Sequence, residues 1–247
     1  MIWGELAAAF YDATHPRASD DECAWYAQRL GDPASLTLDV MCGAGRLLLP
    51  LLARGCKVHG VDVSAPMVAR CEEKLADQSL STTVFRQDVL ALNVPFRYGA
   101  AFIAGSAFDS IVDPQSARQA LERVRAHLVE PGTLIVACEV PSTTLQRLAA
   151  PLVEVRTARL PDGSQVSLRS ETTWTEGARS MRAQRRYSHR RGTQLVAEES
   201  ETVRATWYAP ADILEVVRAA GFRDARTEPL PAEPDYEGET FALIAAA

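Results

Sequence analysis

The sequence predicts an α/β fold: a doubly wound, mostly parallel sheet of seven strands with an antiparallel β-sheet inserted late in the chain. Three observations predict it. Short apolar strand-like runs alternate with amphipathic helical ones through the first half, the mark of right-handed βαβ units. From about residue 152 the pattern changes to four extended segments separated by "PDG", "TEGAR" and "RGT", which is hairpin turn chemistry. After residue 208 helix and strand return, so the β-rich block interrupts the α/β unit.

The elements follow in order. "LTLDV" (36–40) is a short buried strand, and "GRLLLPLLARG" (45–55) a helix in which Pro50 has no evident place. "KVHGVDV" (57–63) is the second strand. "SAPMVARCEEKLADQ" (64–78) is a helix with Ser64 as N-cap and Pro66 in its first turn. "TTVFRQD" (82–88) and "YGAAFIAG" (98–105) are the third and fourth strands. "PQSARQALERVRAHLVEPG" (114–132) reads as an amphipathic helix stopped by Pro131 and Gly132, and "TLIVACEV" (133–140) as the fifth strand. "VEVRTARL", "SQVSLRSETTW", "SMRAQRRYSHRR" and "QLVAEESETVRATWY" form the inserted hairpins. "PADILEVVRAAG" (210–221) is the last helix, "DARTEPL" (224–230) and "TFALIAAA" (240–247) the last strands, and 229–239 a loop. The expected division is a core of 1–150 and 206–247, with 1–35 as a helical cover and 151–205 as the insertion.

A length of 247 residues suits one large domain or one domain with an insertion. A net charge of −6 argues against a general nucleic-acid binder. The five cysteines are odd in number and contain no CxxC pair, so neither a disulfide framework nor a metal site is expected. Reduced thiols suit a cytoplasmic setting. The first residues lack a basic n-region, and no apolar run approaches the roughly 20 residues that span a bilayer, so no membrane partner is expected.

The chemistry concentrates in "TLDVMCGAGRLLLPLL" (37–52). In a doubly wound sheet ligands bind beyond the carboxyl ends of the strands. Asp39, Gly43, Gly45, Asp62 and Asp88 all fall at such ends. Glycine lets backbone approach a ligand, and the helix that follows points free N–H groups at it. Asp62, at the end of the second strand, is placed to accept two hydrogen bonds from a ribose diol. Alone, a GxG is a common turn; the joined series of acid, glycine loop, helix, strand, acid, helix, strand, acid is more specific. A dinucleotide fits less well, because the third glycine its fingerprint wants is Leu48.

These residues resemble the class I S-adenosylmethionine-dependent methyltransferases. "LDVMCGAGR", "VDVSAPMV", "FRQDVLAL", "AAFIAGSAFDSI" and "LVEPGTLIVACEV" are similar to successive family motifs. The resemblance implies a Rossmann-like methyltransferase sheet and S-adenosyl-L-methionine as cofactor, with S-adenosyl-L-homocysteine as product. It implies that Asp39, Gly43 and Gly45 surround the methionine moiety. It places Asp62 and its neighbour Val63 at the ribose, Met67 over the adenine, Asp88 and Val89 at the adenine edge, and Gly105 at the end of the fourth strand. Tyr11 would lie near the sulfonium. The family's first loop glycine is Met41 here, whose side chain must turn from the ligand or narrow its pocket.

The insertion resembles the β-lid of glycine and amino-sugar N-methyltransferases, which closes an acceptor pocket. The partner expected is a small-molecule amine or hydroxyl, or one bearing an acidic group that the lid arginines hold; the assembly is a monomer or homodimer. Strand alternation sets Arg185, Tyr187, His189 and Arg191 on one face and Arg182, Arg186 and Arg190 on the other, with Glu198, Glu199 and Glu201 as expected ion-pair partners. Tyr187 and His189 are the candidate bases for a hydroxyl acceptor, and His15 a further substrate contact. The competing reading is a non-catalytic nucleoside-binding protein with the same fold.

Overall fold

The structure is a computed structural model that describes residues 3–32, 34–146, 148–175, 177, 179–231 and 238–247. Helices α1 (Glu5–Thr14) and α2 (Asp20–Arg29) precede strand β1 (Leu36–Val40). Then α3 (Leu48–Ala53), β2 (Lys57–Asp62), α4 (Ala65–Asp77), β3 (Val84–Arg86), β4 (Tyr98–Ile103), α5 (Pro114–Ala126) and β5 (Leu128–Pro141) follow. One helical turn, α6 (Thr143–Gln146), leads to β6 (Leu152–Arg159), β7 (Gln165–Thr175), β8 (Ser180–Arg191) and β9 (Gln194–Thr206). The chain closes with α7 (Pro210–Ala219), β10 (Arg223–Pro229) and β11 (Gly238–Ala246).

The central sheet has seven strands in the order β10-β11-β5-β4-β1-β2-β3, and β6 to β9 form a separate four-stranded sheet. Only β11 runs against its neighbours; the β1–β2, β1–β4, β2–β3 and β4–β5 ladders are parallel. The strand order reverses at β1 and β4, so a crevice opens beyond their carboxyl ends. Residue alternation divides the strands between two cores. Leu38, Val40, Ala101 and Ile103 meet α5 and α7, while Ala100 and Phe102 meet Tyr26 of α2, Leu48 of α3 and Cys71 of α4.

Two helix boundaries differ most from expectation. The helix from Pro114 ends at Ala126, not at Gly132, because Tyr98 donates to the His127 carbonyl and Leu128 already pairs with Tyr98 in the sheet. The helix after the glycine loop begins at Leu48, not Gly45, since Met41, Gly43 and Gly45 all have positive φ. That start explains Pro50. It sits in the first helical turn, where a backbone N–H has no intrahelical acceptor to lose. Of the expected 229–239 loop, residues 232–237 lie outside the described residues.

Candidate functional site

The glycine loop leaves β1 at Val40. Gly45 has φ 79°, and a Cβ there would stand 2.2 Å from Leu49 Cδ1 and 2.7 Å from Cys71 Sγ, so only glycine fits. Gly43 is different. At φ 54° its nearest neighbour would be Met67 Sδ at 3.8 Å, which leaves bare main chain facing open space. Met41 holds φ 61°, a region costly for a side-chain-bearing residue, and its thioether packs against the apolar cluster of β1 and β4.

Asp62 lies directly against this loop. Its Oδ2 accepts the Gly43 N–H at 2.9 Å and its Oδ1 accepts the Ser64 N–H at 2.8 Å. Each oxygen keeps a second lone pair. Burial raises the Asp62 carboxyl, and the Ser64 and Gly43 N–H groups oppose that rise. Asp39 is 2% exposed, and burial pushes it well above the usual carboxylate range, with Cys71 next among the causes. Asp88 is exposed at the end of β3. It caps the single helical turn Val89–Ala91 by accepting the Leu90 N–H at 2.9 Å, and Val89 is buried. The Gln87 N–H donates to the Asp62 carbonyl at 3.0 Å, tying the ends of β2 and β3 together. Val63 is half-buried beside Asp62. Gly105, at φ 56°, would bring a Cβ to 3.5 Å from the Arg46 guanidinium.

Helix α1 lies across this edge. Ala8 packs with Ala44 of the loop and Met67 of α4, with Trp3 and Tyr11 beside them. Trp3 and Tyr11 are 5.2 Å apart between ring centroids, and Tyr11 stacks on His15 at 4.7 Å. Ser64 Oγ donates to the Trp3 carbonyl at 2.8 Å and accepts the Met67 N–H, so one hydroxyl caps α4 and ties the N-terminal segment to it. Trp3 carries no periodic signal and was invisible to sequence reasoning. So was the bidentate pair of Arg46 with Glu22 of α2, at 2.6 and 2.7 Å and almost fully buried.

The inserted sheet packs on the other side of α1. Ala7 and Phe10 meet Ala158, Val166, Leu168 and Tyr187. Tyr187 is fully buried and donates its hydroxyl to Glu201 at 2.9 Å, and burial pushes its phenol up. His189 contacts Ser164 Oγ at 2.8 Å in the turn between β6 and β7. The two candidate bases therefore hold structural partners. Ion pairing also differs from expectation. Arg185 pairs with Glu201 at 3.8 Å, but Glu199 accepts the Leu6 and Ala7 N–H groups at 3.0 and 3.2 Å and so caps α1 instead. Arg182, Arg186 and Arg190 are exposed on the outer face. A register shift between His189 and Arg190 breaks the alternation, and Arg191 pairs with Asp162 at 3.0 Å. Among the described residues no group of three or more His, Cys, Asp or Glu side chains could hold a metal. No described helix is long and apolar enough to cross a membrane.

The glycine loop and the acid at the next strand end that touches it both fall in a segment that matches a known sequence model. Residues 37–132 match the sequence model of a methyltransferase domain. The matched segment runs from β1 into β5 and contains the loop, Asp62 and Asp88. The chain is 30% identical over 148 residues to the 23S rRNA (uracil(1939)-C(5))-methyltransferase RlmD of Thiobacillus denitrificans, an alignment that covers 58% of this chain and 33% of that one. The chain spans between 28% and 41% of the length of the curated relatives it matches. Among solved structures, an S-adenosylmethionine-dependent methyltransferase from Clostridium acetobutylicum superposes with TM-score 0.75 at 17% identity, covering 96% of this chain and 95% of that one. The sugar N-methyltransferase KedS8 from Streptoalloteichus superposes with TM-score 0.69 at 19% identity, covering 92% and 87%. Both coverages extend beyond the segment 37–132, so the fold likeness takes in the inserted sheet.

Proposed function

We propose that this protein is an S-adenosyl-L-methionine-dependent methyltransferase acting on a small-molecule amine or hydroxyl. The observation that carries this reading is the contact of Asp62 with the Gly43 N–H beside open main chain. The residues fit the cofactor. Asp62 retains lone pairs for a ribose diol, Gly43 offers backbone to an amino-acid tail, and Met67, Trp3 and Tyr11 supply an apolar and aromatic cover. Asp88 and Val89, at the adjoining strand end, would read the adenine edge. When bound, the cofactor supplies an electrophilic methyl on a sulfonium. This chain's work is then alignment and exclusion of water. Helix α1 performs both, because it is held to the core by Trp3 and to the inserted sheet by Phe10. The inserted sheet is the lid over the acceptor.

Asp62→Ala should weaken S-adenosylhomocysteine binding by about 2 kcal/mol, or roughly 30-fold, the scale of lost charge-assisted hydrogen bonds. Titration calorimetry measures it, and unchanged affinity would remove the ribose assignment. NAD stabilising the protein where S-adenosylhomocysteine does not would overturn the cofactor itself.

The RNA substrate named for RlmD is the second reading. A net charge of −6 does not favour a polyanion, so methyl transfer to a small molecule is the stronger proposal.

A further inference from the structure

Helices α1 and α4 and the turn between β6 and β7 enclose a cavity of about 430 Å³ that the proposed methyl transfer does not use. Ala9, Ala13, Leu160 and Pro161 give it apolar walls, and Arg70 and Arg159 bring two guanidinium groups to it. Its place in the fold separates it from the cofactor crevice. Helix α4 starts at the carboxyl end of β2 and runs back along the sheet, as a crossover between parallel strands does. Met67, in its first turn, packs with Ala8 at the crevice. Arg70 is three residues further on, about 4.5 Å down the helix axis and away from the crevice. Asp12, in the cavity wall, stands one turn beyond Ala8 on α1. The cavity therefore continues the seam between α1 and α4 past the cover.

Charge selects the occupant. Arg70 is half-buried, and its Nε is buried with no hydrogen-bond partner among the described residues. Neither Arg70 nor the exposed Arg159 forms an ion pair among the described residues. The two acids at hand are engaged by other cations: Asp12 by Lys74, and Asp162 in the turn by Arg191 at 3.0 Å. In a chain of net charge −6, this cavity thus presents two unmatched positive charges. A buried N–H left without an acceptor costs free energy, which an arriving oxyanion recovers. Guanidinium donors form a planar fork that matches phosphate oxygens, and two forks from different elements suit a dianion better than a single carboxylate. The cavity is roomier than inorganic phosphate needs, and its alanine, leucine and proline walls suit an organic body.

We propose that this cavity binds a phosphate monoester, with Arg70 and Arg159 holding the phosphate, and that the bound ester clasps α1 over the cofactor crevice. Arg70 belongs to the core and Arg159 to the inserted sheet, and α1 packs against both α4 and β6. An anion bridging the two arginines restrains the last turn of α1. Cofactor and ester favour the same closed cover, so each raises the other's affinity by one shared factor. The phosphate site goes beyond the methyl-transfer reading and stands without it; only the coupling to cofactor rests on that reading.

Titration calorimetry with phenyl phosphate, inorganic phosphate and phenol at matched ionic strength tests the site. Phenyl phosphate should bind, inorganic phosphate should bind about 10-fold more weakly, and phenol should not bind. Arg70→Gln and Arg159→Gln should each weaken phenyl phosphate by about 10- to 100-fold. Arg182→Gln, on the outer face of the inserted sheet, should leave it within about twofold. Arg159 is exposed, so Arg159→Gln should keep the wild-type melting temperature and carries the test if Arg70→Gln fails to fold. Saturating S-adenosylhomocysteine should tighten phenyl phosphate by about fivefold, and the ester should tighten S-adenosylhomocysteine equally. No binding of either phosphate, affinity surviving Arg159→Gln, an equal loss with Arg182→Gln, or phenol binding as tightly as its phosphate overturns the site. Inorganic phosphate binding as tightly as the ester overturns the monoester. Ester affinity unchanged by bound S-adenosylhomocysteine overturns the clasp. Failure of wild type to bind S-adenosylhomocysteine while phenyl phosphate still binds removes the methyl-transfer reading and the clasp with it, and not the phosphate site.

Discussion

Gly43 and Gly45 sit two residues apart and are constrained by different neighbours. Both have positive φ, so alanine at either costs about 1 kcal/mol of backbone strain. At Gly45 the Cβ also collides with Leu49 and Cys71. Gly45→Ala should therefore lose about 3 kcal/mol or more of stability in denaturant unfolding. Gly43→Ala should lose only the strain yet weaken S-adenosylhomocysteine binding, since its Cβ enters open space on the ligand side. Equal stability losses would contradict this division. The spacing of Asp39, Gly43, Gly45 and Asp62 was legible in sequence because each lies at a strand end that periodicity locates. Arg46, Glu22 and Asp109 were not. An arginine reads as surface until its carboxylate is seen 24 positions away, and that Asp109 Oδ1 is buried with no partner among the described residues is a property only of the packed chain.

At the scale of elements, the inserted hairpins were the most readable part, because turn residues punctuate a period-two pattern. The end of α5 was not readable. Leu128 lies four residues after Val124, in phase with the helical stripe, and only its pairing with Tyr98 takes it into the sheet. The work of Glu199 was equally hidden. A glutamate on a strand beside arginines reads as a cross-strand ion pair, yet its carboxylate caps α1, a helix nearly two hundred residues earlier. Glu199→Ala should cost about 1 kcal/mol, the scale of a lost helix cap. Amide hydrogen exchange along α1 should speed up while α5 is unchanged. Unchanged exchange in α1 would mean that the apolar contacts of Phe10 alone hold the helix down.

The whole molecule carries buried acids as a standing cost. Asp39 and Asp109 are both raised by burial above their unfolded values. For such a group the stabilising contribution is complete below the unfolded pKa of about 3.8 and is lost as pH rises through the folded one. Asp109→Asn should thus raise the melting temperature at pH 7 to 8, and the gain should vanish toward pH 4. A constant gain at every pH would show that charge is not the cause. Glu201 is raised by burial in the same direction, but Tyr187 and Arg185 oppose the rise, so the inserted sheet has partners that partly offset its acid.

Lysine is nearly absent from this chain, and its two copies differ in circumstance. Lys57 is exposed on β2, whereas Lys74 of α4 is clasped by Asp12 of α1. An amine-acylating reagent therefore meets an exposed ε-amino group and a guarded one. The pace of labelling at position 74 becomes a clock for how often the N-terminal cover lifts from the cleft.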